Sequence, residues 1–273
     1  MLNGLMDASL IVKILIMGVA PAVLAAVLGI ALARTKKIAL VTLMLYVIGL
    51  AVSAIIFKTL PKYIQDGGPV VIILTFLMIL LFTYVIERSL TIGRARGAKN
   101  LAAFMEEFRE LLRAGNVTGA IAACNAQRGS TANVLRAGLE KYLALQNENI
   151  SADKKSAELL RAIEEANMLE TPLLERNLIM LTTIASIGTM VGLLGTTIGM
   201  IRAFQAMAHA GAPDASQLAR GISEALINTA GGLLNGIGGI VANNYFMNKV
   251  SLFQFGTDEA IYEMQQLLTI GEK

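Results

Sequence analysis

Five residues near the C-terminal end of the chain combine a carboxylate, two carboxamides and two glycines at helical spacing. Glu224, Asn228, Gly231, Asn235 and Gly238 follow at intervals of four, three, four and three residues, so on a helix they form one stripe. An ionisable group inside an apolar span costs at least ~2.5 kcal/mol and normally faces a bundle interior or a watery cavity. Glu224 is the only acid inside the long apolar runs, which makes it the candidate for binding a proton or a sodium ion.

The other polar members of the stripe extend this candidate ion pathway. Asn228 and Asn235 lie one and three turns beyond Glu224 on the same face, where a helix facing lipid has no need of carboxamides. The alternative is a structural one, in which Glu224 forms an ion pair with Arg220, one turn earlier on the same helix. The sequence leaves both interpretations open.

A second apolar run carries glycines and hydroxyl groups. Small residues three and four apart let another membrane helix approach closely, so they predict a packing face. Thr196 and Thr197 stand together in the segment Gly-Thr-Thr-Ile-Gly, and Thr196 is a candidate for the ion pathway. Thr229 lies beside the acidic stripe and would point to a neighbouring helix; the alternative for any single Thr is a hydrogen bond back to its own helix. The predicted packing residues are Gly188, Gly192, Gly195 and Gly199.

The elements that must position these residues are membrane helices. Hydrophobic residues make up 55% of the chain and charged residues 16%, against about 45–50% and about 25% in ordinary soluble domains. Five runs are long and apolar enough to cross a bilayer, which takes about 20 residues. The runs cover, approximately, residues 10–33, 38–60, 70–86, 178–208 and 218–247. The predicted fold is therefore an all-α, polytopic membrane protein with five transmembrane helices.

The loops predict the orientation. Basic residues cluster after the first run and after the third, and both clusters belong in the cytoplasm when the N-terminus is outside. Lys58 and Lys62 oppose this assignment but are fewer. Ala31-Leu32-Ala33 resembles a signal cleavage site, yet the charges that follow favour a retained span.

Between the third and fourth runs lies the main water-soluble region, which shows helical periodicity and predicts a helical cytoplasmic domain. We expect Pro172 to kink or interrupt its last helix. The C-terminal tail from Lys249 to Lys273 is amphipathic, and we expect it to pack against these helices. The predicted organisation is two N-terminal spans in 1–66, a third span in 67–92, the cytoplasmic domain in 93–175, a pore-forming pair in 176–250 and a cytoplasmic helix in 251–273.

Several functions are disfavoured by composition. A net charge of +3, placed at the ends of apolar runs, does not indicate nucleic-acid binding. Cys124 is the single cysteine and His209 the single histidine, and the sequence has no cluster of metal ligands. We expect no cofactor, no metal and no enzymatic activity.

Two segments carry a family resemblance. The run Val-Gly-Leu-Leu-Gly-Thr-Thr-Ile-Gly-Met-Ile at 191–201 resembles a span signature of the MotA/TolQ/ExbB proton channel family. The run Gly-Ile-Ser-Glu-Ala-Leu-Ile-Asn-Thr-Ala-Gly-Gly-Leu at 221–233 resembles the final-span signature, and its Glu-Ala-Leu fits the ExbB/TolQ branch better than the flagellar branch. The resemblance covers about residues 68–250, so the first two spans are additions to the usual three-span core.

The resemblance implies a function and partners. Glu224 matches the pore glutamate of the family, and Thr196 and Thr229 match its pore-lining threonines. It implies a homo-oligomer, typically a pentamer, in the bacterial inner membrane, with the N-terminus periplasmic and the C-terminus cytoplasmic. A single-span subunit resembling ExbD or TolR would sit inside the pore, and proton flow would energise a TonB- or TolA-like protein.

Two alternatives stay open at this point. Within the family, the alternative is a gliding-motility or flagellar-type stator subunit. Outside it, the alternative is a non-conducting membrane scaffold in which the glycine faces only pack helices. The polar stripe of Glu224, Asn228 and Asn235 discriminates between a channel and a scaffold, because a scaffold does not need it.

Overall fold

A computed structural model of the chain describes residues 38–146, 148, 151–209 and 215–270. Every regular element within those residues is a helix, which confirms the predicted all-α class. The predicted first span and the proposed cleavage site at 31–33 lie outside the described residues. The helices are α1 (Ile38–Thr59), α2 (Lys62–Gln65), α3 (Val70–Ala95), α4 (Leu101–Arg113), α5 (Val117–Gln127), α6 (Ser130–Gln146), α7 (Ala152–Glu175), α8 (Leu178–His209) and α9 (Ala215–Ile270).

Three helical runs among the described residues are long and apolar enough to cross a membrane: Val70–Ala95, Asp153–Ala208 and Ala215–Leu268. Within α1, the segment Gly49–Thr59 is a shorter apolar helical stretch. The chain is therefore a multi-pass membrane protein. The total of five spans stays a prediction, because the first expected span is not among the described residues.

The interruption expected at Pro172 does not occur, while the alternative of a kink there stays a prediction. α7 continues through Pro172 to Glu175, and the interruption follows at Asn177, whose φ is 63°. Asparagine is one of the few non-glycine residues that adopt this left-handed conformation readily. The local backbone therefore separates α7 from α8 at Asn177, five residues after the proline.

The chain divides into two compact units. One contains the described residues up to Glu87 together with Asn177–Asn244, and the other contains Arg88–Arg176 together with the residues from Tyr245 onward. In the first unit, Gly49 of α1 lies against Phe76 of α3: a Cβ on Gly49 would come within 2.9 Å of that ring.

The second unit has its own apolar core, built from α4, α5, α6, α7 and the C-terminal part of α9. The amphipathic face of α4 provides Phe104 and Phe108, whose ring centroids are 5.8 Å apart. Gly138 of α6 leaves room for Met264 of α9, since a Cβ there would lie 2.7 Å from the Met264 Cε. The C-terminal tail thus packs against these helices as expected, although it continues α9 and is not a separate helix.

Polar contacts hold the same unit together. The hydroxyls of Thr131 and Thr257 are 2.7 Å apart in the interior, and Arg109 makes two hydrogen bonds, of 2.6 and 2.7 Å, to the carboxylate of Glu263. Arg88 is 1% exposed and donates a hydrogen bond to the carbonyl oxygen of Leu174, near the C-terminal end of α7. Cations are favourable at that end of a helix because the last carbonyls carry partial negative charge.

The single cysteine provides a test of this core. Cys124 is 2% exposed, and burial raises the pKa of its thiol to about 12. Because the thiolate is the reactive form, only about one molecule in 10⁴ is ionised at pH 8. We expect iodoacetamide to leave Cys124 unmodified in the folded protein and to modify it fully in guanidinium chloride, as measured by intact mass. Rapid modification without denaturant would contradict the described packing around α5.

Candidate functional site

The glycines of α8 lie directly against α9. A Cβ on Gly192 would come within 2.8 Å of the Cα of Gly232 and 2.9 Å of the carbonyl oxygen of Asn228. A Cβ on Gly199 would lie 2.8 Å from the carbonyl oxygen of Gly221. These neighbours are backbone atoms, which cannot rotate away as a side chain can. The two helices therefore touch along their backbones, as small residues in membrane helices allow.

The same contact continues toward the other end of both helices. Gly188 lies against Asn235, and Gly195 lies against Asn228. Gly239 of α9 faces Ala185 of α8, where an added Cβ would be 2.7 Å from the Ala185 Cβ. Small residues of one helix thus meet the other helix along the whole interface. Larger side chains at these positions would hold α8 and α9 apart.

The two asparagines of the polar stripe are buried against α3 and the turn before it. Asn228, 0% exposed, donates from Nδ2 to the carbonyl oxygen of Gly67 at 2.9 Å. Asn235, 1% exposed, donates to the carbonyl oxygens of Leu74 at 3.1 Å and Gly231 at 3.0 Å. Asn235 follows Asn228 by seven positions and Leu74 follows Gly67 by seven, so the pairs are in register. The carboxamides tie α9 to α3 and its preceding turn.

Glu224 is buried and ion-paired. Its side chain is 11% exposed, and Oε1 accepts a hydrogen bond of 2.5 Å from Nη1 of Arg202, whose side chain is 50% exposed. The partner is therefore on α8, in place of the Arg220 that the structural alternative proposed. Arg202 was not among the residues predicted from the sequence. The signal that could have found it is that it is the only Lys or Arg in α8.

A glycine makes room for this ion pair. Gly68, in the turn before α3, has φ +72°, and a Cβ there would lie 2.7 Å from Oε1 of Glu224 and 3.6 Å from Nη1 of Arg202. Glycine reaches positive φ without a steric cost. The backbone of this turn therefore borders the carboxylate directly.

The two threonines have hydrogen-bond partners outside the Glu224–Arg202 pair. Thr196 is partly exposed and donates to the carbonyl oxygen of Leu193 in its own helix at 2.6 Å. Thr229, also partly exposed, donates to the carbonyl oxygen of Ala225 at 3.2 Å. These bonds satisfy each hydroxyl within its own helix. The structure thus brings Glu224 beside Arg202, while Asn228 and Asn235 face α3 and both threonines remain at the protomer surface.

The described residues contain no group of three His, Cys, Asp or Glu side chains that could hold a metal ion. The side chain of His209 is not described. The site therefore offers one carboxylate, one guanidinium and backbone or carboxamide groups for its chemistry.

The helix contact predicts the effect of a large residue at Gly192. In Gly192→Leu the new side chain meets backbone atoms of α9, and overpacking of this kind costs about 1–3 kcal/mol. We expect a lower unfolding temperature in detergent and loss of the native elution peak. Ser186→Leu is the matched control, because Ser186 is exposed on the same helix. Equal behaviour of the two variants would contradict the backbone contact.

The turn before α3 predicts the effect of a side chain at Gly68 on stability. Gly68→Ala places a Cβ against Glu224 and forces a non-glycine residue to positive φ, which costs on the order of 1–3 kcal/mol. Gly93→Ala is the control, because Gly93 is in α3 and an added Cβ meets nothing within 4 Å. We expect Gly68→Ala to lower the unfolding temperature and Gly93→Ala to leave it unchanged or raised. The opposite order would show that the turn does not border Glu224.

No curated protein sequence matches the chain. The family model described as the MotA/TolQ/ExbB proton channel family matches residues 126–254, which include Arg202, Glu224 and the α8–α9 contact. The resemblance seen in the two span motifs is thereby confirmed for the family, although the match does not distinguish its branches. Residues 126–254 of this chain are therefore similar to the MotA/TolQ/ExbB proton channel family.

Proposed function

We propose that this chain is the channel-forming subunit of an ExbB/TolQ-like motor, driven by the proton-motive force. The observation that carries the proposal is that Glu224 is buried, with 8% of the whole residue exposed. It lies in a candidate membrane span and within the residues that match the family model. A carboxylate in a span is costly and marks an ion pathway when it is not needed for packing. Glycines alone already supply the close α8–α9 contact, so packing does not require Glu224.

The driving force acts on a carboxylate that gains and loses a proton. One charge crossing the membrane is worth about 2.3 kcal/mol per 100 mV. The segments 70–95, 178–209 and 215–247 contain no Asp, so a relay that needs an aspartate must take it from another chain. We propose that this other chain is a single-span subunit resembling ExbD or TolR, and that the work passes to a TonB- or TolA-like protein.

We further propose that copies of this chain assemble around that subunit as a homo-oligomer, and we expect five copies. Support comes from large apolar side chains left exposed on one protomer, among them Leu193 (57%) in α8 and Leu226 (65%) in α9. Lipid or neighbouring chains must cover such residues in a membrane. Thr196 and Thr229, also partly exposed, are proposed to line the pore with Glu224. The buried asparagines are assigned to helix packing.

The proposed location is the bacterial inner membrane, with the N-terminus periplasmic and the C-terminus cytoplasmic. The support is the cluster of basic residues at Arg94, Arg96 and Lys99, because positive charge next to spans favours the cytoplasmic side. In this orientation, helices α4 to α7 lie in the cytoplasm.

One observation favours a different function, a non-conducting scaffold. All three polar residues of the stripe have partners within one protomer: Glu224 binds Arg202, Asn228 binds Gly67 and Asn235 binds Leu74. In a scaffold, these contacts would be their whole role. The two functions differ in whether Glu224 must change its protonation state.

Glu224→Gln makes that distinction, because glutamine keeps the size and an acceptor for Arg202 but cannot carry a proton. We expect the variant oligomer to assemble normally and its proton flux, measured in membrane vesicles with a pH-sensitive dye, to fall at least about tenfold. Asp258→Ala, at an exposed acid later in α9, is the control and should retain the flux. Unchanged flux in Glu224→Gln would contradict Glu224 as the proton carrier, and absence of flux from the wild type as well as the variant would favour the scaffold.

The partner is tested by purifying the tagged full-length chain from its native membrane and identifying the proteins that accompany it. Recovery of a small single-span protein with an intramembrane Asp supports the motor. Recovery of the chain alone, as a stable oligomer without ion flux, would establish the scaffold instead.

A further inference from the structure

Arg202 and Glu224 put two opposite charges at the same depth of two antiparallel helices. Arg202 is seven residues before the end of α8 and Glu224 nine residues after the start of α9, about 10–14 Å along each helix. An arginine in a span is costly and normally pairs with an acid or a carbonyl group. The ion pair therefore places a permanent positive charge next to the Glu224 carboxylate, which belongs to the proposed ion pathway.

We propose that Arg202 determines the ion specificity of this channel, by allowing a proton and excluding sodium at Glu224. The inference rests on the proposed function. The guanidinium binds Oε1, which leaves Oε2 to accept a proton. When the O–H bond forms, the carboxylate becomes a neutral acid and Arg202 keeps its charge; when the bond breaks, the proton passes to water or to the next acceptor. A bound proton is therefore part of a neutral carboxylic acid and adds no cation beside Arg202.

Sodium cannot be bound in that way. It remains a cation at the site, so the guanidinium next to Oε1 repels it throughout its stay. It also needs several oxygen ligands, and hard cations normally take these from carboxylate, carbonyl and carboxamide oxygens. The carbonyl oxygen of Gly67 already accepts from Nδ2 of the fully buried Asn228. Because the Oδ1 of Asn228 has no hydrogen-bond partner among the described residues, the exclusion of sodium rests on the charge of Arg202 and not on a lack of oxygen atoms.

The groups that contact Glu224 do not offset the charge of Arg202. The turn before α3 brings Gly68, which has no side chain, against the carboxylate, and the acid of this turn, Asp66, is exposed. α8 contributes Arg202 itself, and one turn earlier on α9 is Arg220, a further positive residue that is exposed. The charged residues that α8 and the neighbouring turn of α9 provide are therefore basic, and a sodium ion at Glu224 would have no second anion beside it from either.

The first test measures proton flux through the complex, purified with its accompanying subunits and reconstituted in vesicles, with NaCl exchanged for choline chloride. We expect wild-type flux to change less than about twofold between roughly 0 and 300 mM Na⁺. In Arg202→Gln, sodium competes for Glu224, and about 300 mM Na⁺ should inhibit the flux at least about fivefold. Arg202→Lys retains the charge, so its flux should stay insensitive to sodium whatever its level. Arg220→Gln removes a neighbouring charge that does not bind Glu224 and should resemble the wild type.

The outcomes separate the two proposals. Flux that is absent from the wild type with either ion refutes the proposed function, and with it this inference. Wild-type flux that requires sodium, or sodium-insensitive flux in Arg202→Gln, overturns the role of Arg202 while the channel function stands.

A second measurement does not depend on flux or on the stability of a variant. Dicyclohexylcarbodiimide modifies protonated carboxyl groups in membranes, and mass spectrometry of the wild-type complex reports its attachment at Glu224. We expect attachment to fall as pH rises and to be unchanged by about 300 mM Na⁺. Protection by sodium in the wild type would overturn the proposal, even if Arg202→Gln does not assemble. Where that variant does assemble, sodium should protect its Glu224.

Discussion

The backbone contact between α8 and α9 is the constraint on which the site depends. Gly192 and Gly232 meet with almost no space for a side chain, and the approach is repeated from Gly188 to Gly199. At this separation, Arg202 and Glu224 come within hydrogen-bonding distance, although they are 22 positions apart in the chain. Because lipid provides no hydrophobic drive between helices, van der Waals packing stabilises this contact. The position of the carboxylate is thus a consequence of residues that have no side chain.

The asparagines show how a third helix is added to that pair. Helices in lipid gain little from burying apolar surface, so polar groups must specify which helix packs where. Asn228 and Asn235 bind carbonyl oxygens seven residues apart, and this spacing fixes the register of α9 against α3 and its preceding turn. Their Oδ1 atoms have no hydrogen-bond partner among the described residues, which is costly in a buried position. A polar stripe on a membrane helix therefore has two possible roles, ion passage and helix registration, and in one protomer the asparagines perform the second.

Much of this was accessible from the sequence, for identifiable reasons. The all-helical class and the spans follow from long apolar runs, and Glu224 and the glycines follow from residue type and spacing. Arg202 did not follow, because helical periodicity describes one helix at a time and does not say which residues of two helices lie at the same depth. The interruption predicted at Pro172 was wrong, because a proline removes one hydrogen bond without ending a helix that packing supports. The helix ends at Asn177, where φ is positive, and the kink at Pro172 stays a prediction. The roles of Thr196 and Thr229 stay predictions.

The burial of Cys124 has a practical consequence for spectroscopy on this protein. It is the only cysteine in the chain, and its side chain belongs to the apolar core that includes Phe104 and Leu135. A cysteine introduced at an exposed position would therefore be the one thiol accessible to a maleimide dye or spin label. Distances between protomers can be measured by electron paramagnetic resonance in an otherwise unaltered chain, because the native thiol stays unlabelled and no residue of the core has to be replaced.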